Sequence, residues 1–440
     1  MTSEVHHRPF AAFLSHAHAD QARTDVLYRW LTDCAGLEIW YDKNEFSPSH
    51  TIPGALSSAV EQCRSMIIAL SKTSVESGWV REEIATAITQ RATDSDFRVI
   101  PVLLEDCEIP RELRTTRWID LRPHALLSPT AADLLKAFYG QGFGSVATCD
   151  RDVYISTGWR NGEEDLTYKV VSRLSARGFR AIGDSKDQLG FAEGLRASSL
   201  IRSCGALLAV LPHRGDGTTS RFIFEEIALA QKHDVPVFMC AAAGVDLHKA
   251  VDHAVESLKL HARLSPQDAE AIKQLPLTVL SASAVEAEDL LENLVEDFTP
   301  PKKPHYVFLS HKFKEVDPEL YRIAKQMISG ITCMPCEDGD DIKSGNISQA
   351  IIRRIRDAFL LVADVSQDNI NSCIEAGIGY GANITVKLIA RGDRHRPAPF
   401  MFRNEQVFYF DSDADLIGVL HRVLRPYRRR DIAGEVLAQV

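Results

Sequence analysis

The chain has 440 residues, is 45% hydrophobic and 25% charged, and carries a net charge of −10. That length suits about three domains, and the balance of residues excludes disordered, collagenous and low-complexity classes. No apolar run approaches the ~18 residues of a bilayer span, MTSEVHHRPF is no secretory leader and the acidic balance argues against long nucleic acid, so the expectation is a soluble cytoplasmic protein with neither membrane nor long nucleic acid as partner.

The first predicted element is a short apolar strand ending in a hydroxyl residue, Phe13-Leu14-Ser15-His16. A helix-period segment and the polar loop WYDKNEFSPS (40–49) follow it. LSSAVEQCRSMIIALS (56–71) then reads as an amphipathic helix feeding a strand. Its near-continuous apolar run suits a parallel strand covered on both faces. A further helix carries EEIATA from Glu82, and RVIPVLL (98–104) is the next strand.

The same order returns at Tyr154-Ile155-Ser156-Thr157. There the loop is AIGDSKDQLG (181–190), the helix and strand LRASSLIRSCGALLAVLP (195–212), the acidic helix EEIALA from Glu225 and the last strand VPVFMC (235–240). It returns again at Phe308-Leu309-Ser310-His311, with MPCEDGDDIKSG (334–345), ISQAIIRRIRDAFLLVADVS (347–366), IEAGIGYG around Glu375 and ITVKLIA (384–390). Three rounds of strand–helix alternation predict three α/β units with parallel sheets.

The expected boundaries are 1–139, 151–298 and 305–440. GQGFGSVATCD (140–150) is small and polar and follows no strand, so it reads as a linker rather than a phosphate loop. TPPKKP (299–304) is a stiff second linker. Segment 246–296 reads as largely helical and finishes the second unit. The nine cysteines are scattered and odd in number, which predicts reduced thiols; Cys333-Met-Pro-Cys336 has no second pair to complete a zinc site. Arg425 and Arg428–Arg430 are too short a basic run to reverse the acidic balance.

Ligands of open parallel sheets bind beyond the carboxyl ends of the strands, which places Ser15, Ser156 and Ser310 at three rims, with glutamates on helices that begin nearby. Trp79 and Glu83 are four apart and share a helix face. A carboxylate beside an indole is partly desolvated and presents a fixed negative charge. That charge suits an oxocarbenium-like centre in N-glycosidic cleavage, by electrostatics or by attack. Spacing alone favours the plainer alternative, an exposed glutamate beside a core tryptophan.

FLSH, WYDKNEF, AVEQCRSMIIALSKTSVESGWVREEIATAI and RVIPVLLED together resemble a Toll/interleukin-1 receptor (TIR) domain over about residues 8–125. The resemblance implies a flavodoxin-like fold. Some members of that family are assembly modules and others cleave NAD. The enzymes carry a Trp-x-x-x-Glu pattern, matched here by Trp79 and Glu83, so the resemblance implies that Glu83 is catalytic and Trp79 its supporting aromatic. Glu82 points about 100° away. Phe13, Ser15 and His16 then border the nicotinamide site. Trp40, Tyr41, Asp42 and Lys43 belong to the loop such enzymes use for substrate binding and self-association, or are a folded rim without ligand contact. His16 and His18 are either acid–base groups or ordinary rim histidines. NAD+ is the expected substrate, with no cofactor and no metal.

The second unit has Phe222-x-x-x-Glu226 in place of that pattern, and HRGDGTTSR (213–221) precedes its helix, so it is expected to be a scaffold or ligand sensor. The third, through LLVADVSQDNINSCIEAGIGYGANITVKLIARGD, resembles the TIR-like branch that includes nucleoside 2-deoxyribosyltransferases. This implies a nucleotide site built from Ser310, Asp364, Asn369, Asn371 and Glu375, the last being the nucleophile in those enzymes. Arg391, Asp393 and Arg394 are phosphate contacts or solvated loop charges. The fold expectation is α/β, with three flavodoxin-like or Rossmann-like units and a TIR domain first. The function expected is an NAD+ glycohydrolase effector of prokaryotic antiviral defence, gated by a nucleotide second messenger and by self-association. The alternatives are a non-catalytic adaptor, or a ribosyl-processing enzyme using Glu375.

Overall fold

The computed structural model describes residues 8–41, 52–122, 126–140, 143, 150–158, 160, 162–183, 194–258, 264–280, 285–298, 300, 305–311, 317–342, 346–366, 369–392, 402, 405–429 and 431–433. The first unit runs β1 (Ala12–Ser15), α1 (Gln21–Arg29) with a π-helical turn at Trp30–Cys34, β2 (Ile39–Tyr41), α2 (Ile52–Glu61), β3 (Ser65–Leu70), α3 (Lys72–Glu76), α4 (Gly78–Thr93), β4 (Arg98–Leu103), β5 (Ile119–Asp120) and α5 (Ser128–Tyr139). The second runs β6 (Asp152–Thr157), α6 (Glu164–Ala176), β7 (Arg180–Ile182), α7 (Gly194–Arg202), β8 (Ala206–Leu211), α8 (Arg221–Lys232), β9 (Val237–Ala242), α9 (Leu247–Leu258), α10 (Pro266–Lys273), β10 (Leu277–Leu280) and α11 (Val285–Asp297). The third runs β11 (Val307–Ser310), α12 (Pro318–Thr332), β12 (Cys336–Glu337), α13 (Ile347–Asp357), β13 (Leu360–Asp364), α14 (Ile370–Gly381), β14 (Thr385–Arg391), β15 (Val407–Phe410) and α15 (Asp413–Leu424).

Each unit builds a five-stranded, all-parallel sheet. The orders are β2-β1-β3-β4-β5, β10-β9-β8-β6-β7 and β12-β11-β13-β14-β15. Numbered within its own unit, every sheet reads 2-1-3-4-5. The crevice that such a sheet opens for ligands lies between its first and third strands, where successive crossovers leave in opposite directions. The third strands β3, β8 and β13 are buried along their whole length, as the unbroken apolar runs predict. Each fully buried leucine or isoleucine there stabilises the fold by about 1.5–3 kcal/mol.

Segment 246–296 is less helical than its periodicity suggests, because β10 lies within it. Among the described residues this edge strand pairs only with β9, and Leu277 and Thr278 are half-buried while Val279 is exposed. Four residues with one covered face leave too little pattern to separate a strand from the flanking helices.

One continuous apolar core joins the units, passing through Leu31, Leu207, Ile227, Val362 and Leu420. Phe143, from the stretch read as the first linker, sits over Gly330 of α12, where a Cβ would come 2.2 Å from its ring. Ser199 and Thr385 share a hydroxyl–hydroxyl bond of 2.8 Å between the second and third units. The end of α1 packs on α15. Trp30 Nε1 donates to the Ala414 carbonyl at 3.2 Å, and the Cβ of Cys34 lies where a side chain at Gly418 would begin.

At that seam His421 is 1% exposed. Its Nδ1 lies 2.6 Å from the Ala35 carbonyl and so carries the proton, while Nε2 accepts from the Tyr139 hydroxyl at 2.9 Å. Burial, together with the positive charges of Arg425 and Arg428, pushes its pKa down to about 4, against the bond to Ala35. A histidine depressed in the fold contributes stability above its unfolded pKa of about 6.5 and loses it as pH falls toward the folded value. Lowering pH from 7 to 4.5 is therefore expected to remove about 2 kcal/mol through this residue. Urea unfolding of wild type and His421→Gln at both pH values checks it, since the variant is expected to have a smaller pH difference.

Candidate functional site

In the first unit the Ser77 hydroxyl accepts from the Val80 N–H at 3.4 Å and so starts α4. Trp79 then stands in the first turn and Glu83 one turn further on. Glu83 is 2% exposed. Its Oε1 accepts from Trp79 Nε1 at 2.6 Å, and its Oε2 accepts from the Ser15 hydroxyl at the end of β1. Glu82 is exposed. Two directed donors fix the carboxylate at the rim between β1 and β3.

The other residues expected in this site divide by sheet face, because side chains alternate along a strand. Phe13 packs with Ser15 on the α4 side, and its ring stacks on Trp40 at 4.5 Å and 12° within the core of that face. Tyr41 belongs to the opposite face, toward α1. Its hydroxyl donates to Asp25 Oδ1 at 2.8 Å, meets Thr24 Oγ1 at 3.1 Å and lies 3.5 Å from His16 Nε2. Tyr28 stacks on the same ring at 4.8 Å. Ser15, Trp79 and Glu83 thus form one cluster, His16 and Tyr41 another, while Asp42 and Lys43 lie outside the described residues. The sequence reading missed Asp20, which accepts from the Ser71 hydroxyl at 2.5 Å between the loops after β1 and β3. It also missed Asp25 and Tyr28, whose spacing of three on α1 was an available signal.

The strand-end serine donates to a glutamate again in the second unit, and to a serine in the third. In the second, Ser156 donates to Glu226 Oε2 at 2.5 Å, and the Tyr154 hydroxyl donates to Oε1 at 2.8 Å, supplying the donor that Trp79 supplies in the first. Phe222, at the tryptophan position, is 48% exposed. In the third, the Ser310 hydroxyl donates to the Ser372 hydroxyl at 2.7 Å, and burial raises the pKa of the Glu375 carboxyl against the influence of Ser310 and the charge of His311.

Two of the remaining third-unit candidates, Asp364 and Asn369, are engaged within the fold. Asp364 accepts from Tyr321 at 3.1 Å and from the Ser366 N–H at 3.0 Å. Asn369 caps α14 and donates to Ser372 at 2.7 Å. Asn371 is exposed on that helix. Residues not anticipated complete the rim. The His311 ring stacks on Tyr321 at 3.8 Å, and its Nε2 lies 3.5 Å from Asp338, which Lys325 reaches at 3.0 Å. Burial works against the Asp338 anion, yet His311 and Lys325 hold its carboxyl well below the usual range. The third FLSH marker was the available signal for His311.

A separate open cleft of about 580 Å³ lies beside α3 and α4, lined by Val75, Arg81, Ile84, Cys107 and Arg111 among others, and not by Glu83. Among the described residues no three His, Cys, Asp or Glu side chains are grouped to hold a metal ion.

The family model for the TIR domain matches residues 12–134. The TIR domain of the Toll-related receptor TRR-2 from Hydra magnipapillata aligns with 30% of this chain and 99% of its own length, at 14% identity and a TM-score of 0.27. The C-terminal domain of glucosamine-fructose-6-phosphate aminotransferase from Francisella tularensis aligns with 72% of this chain and 88% of its own, at 13% identity and a TM-score of 0.20. Structural overlaps this low carry no argument about function. No curated protein matches the sequence closely enough to be counted a relative.

Proposed function

Residues 12–134 form a TIR domain, and from that premise we propose that the first unit cleaves NAD+ between nicotinamide and ribose. The observation that carries this reading is the Glu83 carboxylate, buried at the rim and aimed by Trp79 and Ser15. As nicotinamide departs, positive charge grows on the ribose ring. A carboxylate already fixed in a water-poor position stabilises that charge with little reorganisation. The half-buried Trp79 orients Oε1 through its N–H, and the Ser15 hydroxyl holds Oε2. Water then captures the ribosyl centre, so NAD+ is a substrate and no cofactor is consumed.

In this reading the chain is a cytoplasmic effector of prokaryotic antiviral defence. Its second and third units receive a nucleotide signal, and self-association through the segment that follows β2 completes the active site. Among the described residues no helix is long and apolar enough to cross a membrane, which is compatible with access to cytoplasmic NAD+. A non-catalytic adaptor is the second reading. It is favoured by the Ser156–Glu226 pair, which persists where no tryptophan stands and so can serve the fold alone.

The test is NAD+ consumption by the full chain with and without a panel of linear and cyclic nucleotides, with light scattering on the same samples. Turnover that appears only with a nucleotide is the expected result. Constitutive turnover keeps the enzyme and removes the gate. Nucleotide-driven assembly without turnover favours the adaptor.

A further inference from the structure

We propose that the second unit binds a phosphate group in the crevice between β6 and β8, at the place that the Glu163 carboxylate occupies in the structure. The proposal deepens the nucleotide-signal part of the function above and takes its biological meaning from it. Its test measures binding alone, so failure here and failure of NAD+ cleavage are separable.

The position is the one where a 2-1-3-4-5 sheet opens. β6 ends at Thr157 and leads through Gly158 to Glu163, immediately before α6; β8 ends at Leu211 and leads to Arg214. Arg214 grips the Glu163 carboxylate with both arms of its fork, Nε to Oε1 at 2.8 Å and Nη2 to Oε2 at 3.2 Å. The backbone N–H of Arg160 donates to Oε2 at 3.2 Å. The carboxylate also lies against the chain at Gly158, where a Cβ would come 2.3 Å from Oε2. The Glu163 side chain is only 9% exposed. Burial disfavours its anion, yet Arg214 and the Arg160 N–H hold its carboxyl below the usual range. The surroundings therefore favour negative charge strongly enough to overcome desolvation.

A second observation distinguishes a phosphate from the resident carboxylate. Arg214 Nη1 also reaches the Thr219 carbonyl, at 3.4 Å. Among the described residues, the hydroxyl of that same Thr219, in a residue 3% exposed, has no hydrogen-bond partner. Leaving such a group buried and unsatisfied costs about 1–3 kcal/mol. A carboxylate has two oxygens, and both are taken by Arg214 and Arg160. A phosphate brings further acceptor oxygens. It can keep the guanidinium fork and the backbone N–H, and offer one more oxygen to a hydroxyl donor.

Calorimetric titration of the full chain with inorganic phosphate, AMP and adenosine tests the proposal. Phosphate and AMP are expected to bind and adenosine is not. Glu163→Gln removes the competing charge and is expected to bind both about tenfold more tightly. Thr219→Val, which deletes only the hydroxyl, is expected to bind severalfold more weakly with unchanged melting in the absence of ligand. Arg214→Ala is expected to lose binding, with a melting curve confirming that it folds. Unchanged or weaker binding by Glu163→Gln overturns the proposal, as does AMP binding that survives Arg214→Ala, which would move the site to another unit. If neither wild type nor Glu163→Gln binds phosphate, the Arg214–Glu163 pair is structural only.

Discussion

Glu83→Gln is expected to lower NAD+ turnover by about a thousandfold while leaving the chain folded. The reasoning starts from the two donors on the carboxylate. Trp79 offers only an N–H, so the amide oxygen of a glutamine must face it. The amide nitrogen then faces Ser15, whose hydroxyl can rotate to accept. Both partners stay satisfied and the volume is unchanged, but the negative charge is gone. Glu83→Ala is a harsher variant, because it strands the serine and indole donors at a cost of about 1–3 kcal/mol each. Turnover measured beside a thermal melt separates lost chemistry from lost fold. If Glu83→Gln cleaves NAD+ at the wild-type rate, Glu83 is a structural acceptor like Glu226, and the group that stabilises the ribosyl charge lies elsewhere. If turnover falls only in proportion to the folded fraction, the same conclusion holds.

The parts of this arrangement that were legible in the sequence are those written in short-range spacing or in repetition. Trp79 and Glu83 meet because four residues make one helical turn. The three parallel sheets were readable because their central strands are unbroken apolar runs. Repetition of the strand-end serine anticipated its place at each rim. Contacts between side chains far apart in the chain left no such trace. Nothing local joins Tyr154 to Glu226, which differ by 72 positions, yet this tyrosine supplies the donor that tryptophan supplies elsewhere. The Arg214–Glu163 pair joins two loops whose approach is set only by the sheet order. Nor could spacing show that α1 is pinned to α15, since Trp30 and Ala414 are 384 positions apart. The place of Arg429 left no local trace either. In sequence it belongs to a short basic run of the kind that usually lies in solvent, whereas in the structure it is 2% exposed.

Removing Arg429 is expected to cost about 3–5 kcal/mol at pH 7, and the effect should shrink in acid. Its guanidinium pairs with Asp152 at the start of β6, a residue with no solvent exposure, and donates to the Ser203 carbonyl at 3.0 Å. Its backbone N–H donates to the Thr332 carbonyl at 3.1 Å. The residue therefore ties the chain after α15 to the second and third units together. Burial already raises the Asp152 carboxyl above its ordinary range, despite Arg429 and despite Arg180 at 3.5 Å. In Arg429→Met the carboxyl keeps its burial and loses its closer cation, so its folded pKa rises further. An acid whose folded pKa is raised contributes stability that is fully present below its unfolded value of about 3.9 and is lost as pH rises through the folded value. The variant is thus expected to be more destabilised at pH 8 than at pH 5, as measured by urea unfolding at each pH. Adding Asp152→Asn should recover much of the loss at pH 8, because the stranded charge rather than the missing contact carries most of the cost. A penalty that is equal at both pH values, or that persists in full in the double variant, would assign the role of Arg429 to its packing and its bonds to carbonyls instead of to this ion pair.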